Sequence, residues 1–331
     1  MMRTILGILA CSLISHAQTS TTATGVYRFT TPQTPQGLQE ATTIVRTVAS
    51  VPQVSVDTST ATFTLSGPAE AVSFAEWVLA RIDKAAGDNA VYEYRLPSGE
   101  VGRVIFAPGI ETPPGVQELL TVLRTVADVR KIFTFTSNHA VVLSGPDWEI
   151  AFAEWIIDQL NQSMQQKPDA TPREFTVGGP DFKGMGHGAR LNFLSNRTSP
   201  RQMQELLTVL RAVGDVQKVF SYTASHALIL RTGDSDLQRA EWMIQQLDLP
   251  AGPSAGAAMF TASSGDDVTR IFHLRNADPQ WLQTSIPSMR SELKIGKIFA
   301  TTAPANIVVR GTADQIAAVT MWLTSHSVLA E

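Results

Sequence analysis

The chain has 331 residues, 44% of them hydrophobic and 17% charged, with 22 Gly, 18 Pro and a single Cys. That composition excludes a disordered tail, a collagen-like rod, a disulfide scaffold and a polytopic membrane protein. Lys and Arg number 26 against 30 Asp and Glu, a net charge of −4 and a poor balance for holding a polyanion, so no nucleic-acid partner is expected.

Residues 1–17, MMRTILGILACSLISHA, join a basic start at Arg3 to an apolar run from Ile5 to Ile14 and small residues at Ser15 and Ala17. This is the pattern of a secretory signal peptide, with cleavage expected before Gln18 and a soluble mature chain in the periplasm or secreted. The alternative is a lipoprotein modified at Cys11, although Leu9 suits that processing site poorly and few apolar residues precede it. With Cys11 in the leader, the mature chain has neither thiol nor disulfide, and its fold must rest on packed cores.

Internal repetition then decides the architecture. LLTVLRTVADVRKIF from Leu119 returns as LLTVLRAVGDVQKVF from Leu206, an offset of 87 residues. Ala-Glu-Trp occurs at Ala75-Glu76-Trp77, Ala153-Glu154-Trp155 and Ala240-Glu241-Trp242, and Arg46, Arg124 and Arg211 each stand 31 residues before the Trp. A fourth copy has Arg290 32 residues before Trp322, with Met321 in place of the Glu. Four units are expected after the leader: 18–87, 88–166, 167–250 and 251–331, the last opening on a linker over 251–267.

Each unit reads as strand, helix, strand, strand, helix. In the second copy Val116, Leu119, Leu120, Leu123 and Val126 recur at helical spacing, as do Trp148, Phe152, Trp155, Ile156 and Leu160. Between them VRKIFTF and AVVLS are short, β-branched and aromatic, which is strand chemistry. Helix starts are marked by Ser199-Pro200 and Asp278-Pro279, and by capping-box spacing at Thr312 with Gln315 and at Ser235 with Gln238. VYEYRLPSGE and REFTVGGPDFKGMGHGA, ahead of the first strands of copies two and three, read as β-hairpin extensions, with the glycine-rich 178–188 as a hairpin tip. The expected fold is α+β: four tandem small β-α-β-β-α units whose mutual contact contributes stability.

The fourth copy carries a family likeness. RIFHLRNADPQWLQTSI from Arg270 and FATTAPANIVVRGTADQIAAVTMWL from Phe299 resemble the periplasmic N-domains of bacterial secretins and the short N-terminal domains of TonB-dependent receptors. The matching positions are Leu274, Ala277-Asp278, Asn306, Ile307 to Val309 and Gly311-Thr312. In copy one Asp57 matches the acidic residue that opens the family's turn, and Ala61 stands where the fourth copy has Asn306. Copies two and three place His139 and His226 at that turn position. The resemblance implies a non-enzymatic module that docks protein partners or self-associates, and, with no pore domain after the fourth helix, an isolated N-domain array accessory to a secretion or pilus system.

The recurrent residues admit both structural and functional readings. Arg46, Arg124, Arg211 and Arg290 could line a carboxylate-binding row, but are expected to pair with Glu76, Glu154 and Glu241 on the second helix. Trp77, Trp155, Trp242 and Trp322 lie on apolar stripes and are expected to anchor cores rather than stack on sugars. Lys131, Lys218 and Lys297, with Gln53 in copy one, are expected to mark an exposed strand face or edge. One His per unit lacks the clustered donors of a zinc site. No nucleophile elbow, metalloprotease helix, phosphate loop or repeated acid pair occurs, so no catalytic residue, cofactor or metal is assigned. The competing expectation is a cell-wall or small-ligand binding protein, or a hydrolase, with its site between repeats.

Overall fold

The computed structural model describes residues 21–84, 90–178, 188–250, 258–261, 267–275 and 277–329. The leader and most of the glycine-rich segment 178–188 lie outside them. Unit one comprises β1 (Thr22–Arg28), α1 (Pro35–Thr47), β2 (Gln53–Asp57), β3 (Thr62–Pro68) and α2 (Ala69–Ile82). Unit two comprises β4 (Val91–Arg95), β5 (Val101–Phe106), α3 (Pro113–Thr125), β6 (Lys131–Phe135), β7 (Ala140–Gly145) and α4 (Asp147–Gln165). Unit three repeats that order with β8 (Arg173–Thr176), β9 (Gly188–Phe193), α5 (Pro200–Ala212), β10 (Lys218–Tyr222), β11 (Ala227–Thr232) and α6 (Asp234–Leu247). Unit four does so with β12 (Ala258–Thr261), β13 (Val268–His273), α7 (Pro279–Glu292), β14 (Lys297–Thr302), β15 (Ala305–Gly311) and α8 (Ala313–Ser325). Four antiparallel sheets result, in the orders β1-β3-β2, β4-β5-β7-β6, β8-β9-β11-β10 and β12-β13-β15-β14. The α+β architecture of repeated small units is therefore observed, with one revision. Ala258–Thr261, expected to be linker, is an edge strand paired with β13, so unit four has the same extension as units two and three.

Local chemistry sets the element ends. Thr34, Thr112, Ser199 and Asp278 cap α1, α3, α5 and α7, each followed by Pro at the start of the helix. Thr312 and Gln315 form the expected capping box of α8. Ser235 and Gln238 do not, because α6 starts at Asp234 with Gly233 as its cap, two residues before Ser235, which lies inside the first turn. Asp57 accepts from the Ser59 amide at 2.9 Å and opens the β2–β3 turn. Ala61, His139 and His226 occupy the left-handed region just before the last strand, with φ of 51°, 56° and 53°. Their carbonyls accept from Phe29, Ala107 and Leu194, as that of Ala305 accepts from Leu274. Their counterpart in unit four is thus Ala305, not Asn306; the register lies one residue from the sequence alignment.

The cores cross the unit boundaries. α1 lies on β6, α3 on β10 and α5 on β14, so each sheet from the second onward has its own helices on one face and the preceding unit's first helix on the other. Val104, Phe106, Phe135, Ala140 and Val142 of unit two join the core of unit one, and Leu191, Tyr222 and Ile229 of unit three join that of unit two. This explains why β7 is buried along its whole length while β3 alternates.

The two ends of the row are polar. On β2 and β3 the outward residues are Gln53, Ser55, Asp57, Thr62, Thr64 and Ser66, where unit two has Lys131, Phe133, Phe135, Ala140, Val142 and Ser144. On α7, Ser288 stands where α1, α3 and α5 have fully buried Ile44, Val122 and Val209. Phe135→Ala is expected to cost about 3–5 kcal/mol in urea denaturation. Because Phe135 belongs to the core of unit one as well as to the sheet of unit two, probes in both units should shift together; a loss confined to unit two would contradict the shared core.

Candidate functional site

Three sets of polar and aromatic repeat residues meet at the junctions between units. Glu40 on α1 accepts from the amide and hydroxyl of Thr136 in unit two at 2.8 and 2.7 Å. Glu118 on α3 does the same for Thr223 at 2.7 and 2.6 Å, and Glu205 on α5 for Thr302 at 2.9 and 2.5 Å. A carboxylate taking two donors where the next sheet's strand ends satisfies a backbone amide with charge-assisted bonds. In α7 the equivalent position is Thr284.

A second contact flanks the first. Asp128 and Asp215 follow α3 and α5 in the left-handed region, with φ of 65° and 60°. Asp128 binds Lys218 and Arg231 of unit three; Asp215 binds Lys297 and, at 2.6 Å, Arg310 of unit four. Burial raises the Asp128 carboxyl, but hydrogen bonds from Lys218 and Arg231 and their charges outweigh it and hold the group below the usual carboxylate range; Asp215 behaves alike. At the first junction Ser50 takes the Asp position, and Ser144 donates to the Val48 carbonyl at 3.0 Å. At the third, fully buried Arg197 of unit three binds the Leu247 carbonyl and reaches Thr301 at 3.2 Å and the Pro304 carbonyl at 3.3 Å.

Aromatic rings make the third contact. Trp77 packs on Tyr94 of β4 with ring centroids 5.3 Å apart, Trp155 on Phe175 of β8 at 5.3 Å and Trp242 on Phe260 of β12 at 5.6 Å. Each extension strand is thus held by the preceding unit's second helix. Trp322 packs instead on Trp281 at 6.0 Å and His326 at 3.9 Å.

Several sequence expectations are revised by this geometry. Arg46, Arg124, Arg211 and Arg290 do not pair with the second-helix Glu residues. They donate to the carbonyls of Val54, Ile132, Val219 and Ile298 at 3.2, 3.3, 2.7 and 2.8 Å, because the chain reverses after each first helix and brings the next strand alongside its last turn. Glu154 and Glu241 face the first strand and pair with Arg103 and Arg190, the latter at 3.6 Å. Trp77, Trp155 and Trp242 are half-buried and pack against the cores of their own units, as expected, while also clasping the extension strand of the next. Gln53, Lys131, Lys218 and Lys297 do open the edge strands β2, β6, β10 and β14; Lys218 and Lys297 also reach the preceding unit, while Lys131 pairs with Glu100 at 2.9 Å. Glu40, Glu118 and Glu205 escaped the sequence reading, yet each stands six residues before the recurrent Arg, a spacing as regular as that of the Trp.

A cleft of about 330 Å³ opens at the first junction, lined by Gln36, Ile110, Glu111, Val116, Phe135 and His139 among others. Among the described residues no group of three or more His, Cys, Asp or Glu is placed to hold a metal ion, and no helix is long and apolar enough to cross a membrane.

No family model and no curated protein matches the chain. Solved structures similar to it include Aeromonas hydrophila ExeD, at 18% identity over 76% of this chain and 44% of that one, with a TM-score of 0.17. The ETEC pilotin–secretin AspS–GspD complex matches at 15% identity over 91% and 54%, with a TM-score of 0.17. The type II secretion system secretin GspD of E. coli K12 matches at 10% identity over 89% and 59%, with a TM-score of 0.16. The chain spans about half the length of these proteins.

Opposite pH responses should separate two carboxylates at the second junction. The folded state lowers the pKa of Asp128, so its contribution is complete above the unfolded value near 4 and is lost as pH falls below it. Asp128→Asn should therefore lower the urea midpoint at neutral pH, with the difference from the parent shrinking progressively as pH falls below about 4. Burial and the Asp128 charge push Glu149 from 4.5 to about 7, so its ionisation opposes folding as pH rises between those values. Glu149→Gln should raise the midpoint at about pH 8 and change it little at about pH 5; a uniform shift would refute this assignment.

Proposed function

We propose that the chain is an exported, non-enzymatic interaction and assembly module that presents a continuous four-unit row to protein partners, as an accessory of a secretion or pilus system. The observation that carries this reading is the commitment of three recurrent sets to junctions: Glu40, Glu118 and Glu205; Asp128 and Asp215 with Lys218 and Lys297; and Trp77, Trp155 and Trp242. Residues repeated for catalysis would converge on a solvent-filled site; here these positions join one unit to the next. The resemblance of unit four to secretin N-domains and the leader pattern of residues 1–17 support the same reading and a periplasmic location.

The first-junction cleft supports a second reading, a small-ligand or glycan site, because Phe135 and His139 line it together with the carboxylate of Glu111. Cross-linking in the producing cell's envelope, with light scattering on the purified mature chain, separates the two. Stable cross-links to an envelope protein are expected. A monomer that forms none, but binds a glycan or hydrolyses a substrate in a manner abolished by Glu111→Gln, would establish the second reading instead.

A further inference from the structure

The first sheet departs from the other three at one edge. β4, β8 and β12 pair with β5, β9 and β13, whereas no described strand lies beyond β1. Phe29 donates to the Ala61 carbonyl and the Thr21 carbonyl accepts from Ala69, so the odd-numbered residues of β1 bond to β3. The N–H and C=O groups of Thr24, Val26 and Arg28 therefore point out of the sheet, a template for another strand.

The side chains beside this edge are also incomplete. In unit two Arg103 on the first strand joins Glu93 of the extension strand, at 2.8 Å, to Glu154 of the second helix. In unit three Arg190 joins Glu174, at 3.0 Å, to Glu241. Unit one keeps the helix carboxylate as Glu76, but Gly25 takes the Arg position. A Cβ on Gly25 would collide with Glu76 Oε1, so the carboxylate lies directly over the bare strand. Glu76 is half-buried and has no ion pair or hydrogen bond with any described residue.

We propose that the free edge of β1 accepts an extended strand from a protein partner, paired antiparallel in the place that β4, β8 and β12 hold, with a Lys or Arg opposite Gly25. Its cation passes over the glycine to Glu76, restoring the cation that Arg103 and Arg190 supply in units two and three. Main-chain pairing supplies affinity, and the buried-side charge selects the sequence. This inference rests on the interaction-module reading and specifies its surface.

The test uses the mature chain and two peptides of about ten alternating Val and Thr residues, one with a central Arg and one with a central Glu. The Arg peptide is expected to slow amide exchange at Thr24, Val26 and Arg28, leave β4, β8 and β12 unchanged, and bind about tenfold more tightly than the Glu peptide. Glu76→Gln should erase the preference. Val26→Pro, which removes an outward N–H and leaves the β1–β3 bonds intact, should abolish binding while preserving the melting temperature. The proposal is overturned if neither peptide protects β1, if both bind equally, or if these amides are already protected in the free chain by its own residues or by a second copy. Envelope cross-links that persist in Val26→Pro would also reject this edge while leaving the interaction module standing; loss of all cross-links in the parent would reject the module itself.

Discussion

Burial of each sheet on two faces is the constraint from which the rest of the structure follows. A three- or four-stranded sheet with a pair of helices on one side has a second face that must be polar or covered. In units two to four the preceding unit's first helix supplies that cover, and Phe133, Phe135, Phe220 and Tyr222 are the residues that need it. Without Cys in the described chain, these shared cores take the part that disulfides play in many small exported domains.

Covering a sheet with a neighbour's helix creates polar obligations, and the junction residues answer them. The strand leading into each covered face ends in a Thr whose amide would otherwise lack a partner, and a carboxylate on the covering helix accepts it. The left-handed residue after that helix carries an Asp at the second and third junctions, within reach of a Lys and an Arg on the next sheet. The Trp clasp explains why the extension strand starts with unit two. It needs a preceding second helix to pack on, and unit one has none before it among the described residues.

Much of this was legible in the sequence because the repeat fixes element order, and periodicity fixes which helix face is apolar. The α+β units, the Pro-led helix starts and the Thr312 cap follow from local chemistry alone. The partners of the recurrent residues were not legible. Arg46 and Glu76 share a unit and opposite charge, but the chain's reversal after α1 brings a carbonyl to the Arg first. Trp77 reads as a core residue of its own unit alone because helical periodicity carries no record of which unit fills the space beside it. The strand Ala258–Thr261 was hidden by small residues around it, and only pairing with β13 distinguishes it from a linker. At Gly25 the informative feature was a missing side chain, visible only after the strands were superposed in register.

The stacking of a helix on the following unit's sheet joins two different surfaces, a head and a tail. Such heterologous contacts have no internal reason to stop, and in the absence of closure they propagate into fibres. Here both end faces of the described row carry polar residues at positions that are apolar inside it. The outward side of the first sheet offers Ser55 and Asp57 in place of Phe133 and Phe135, and α7 with the turn after it offers Thr284, Ser288 and Lys294 in place of Glu118, Val122 and Asp128. A second copy stacked head to tail on this row would therefore set Ser288 against Ser55 and Asp57, where each internal junction buries Val or Ile against aromatic rings.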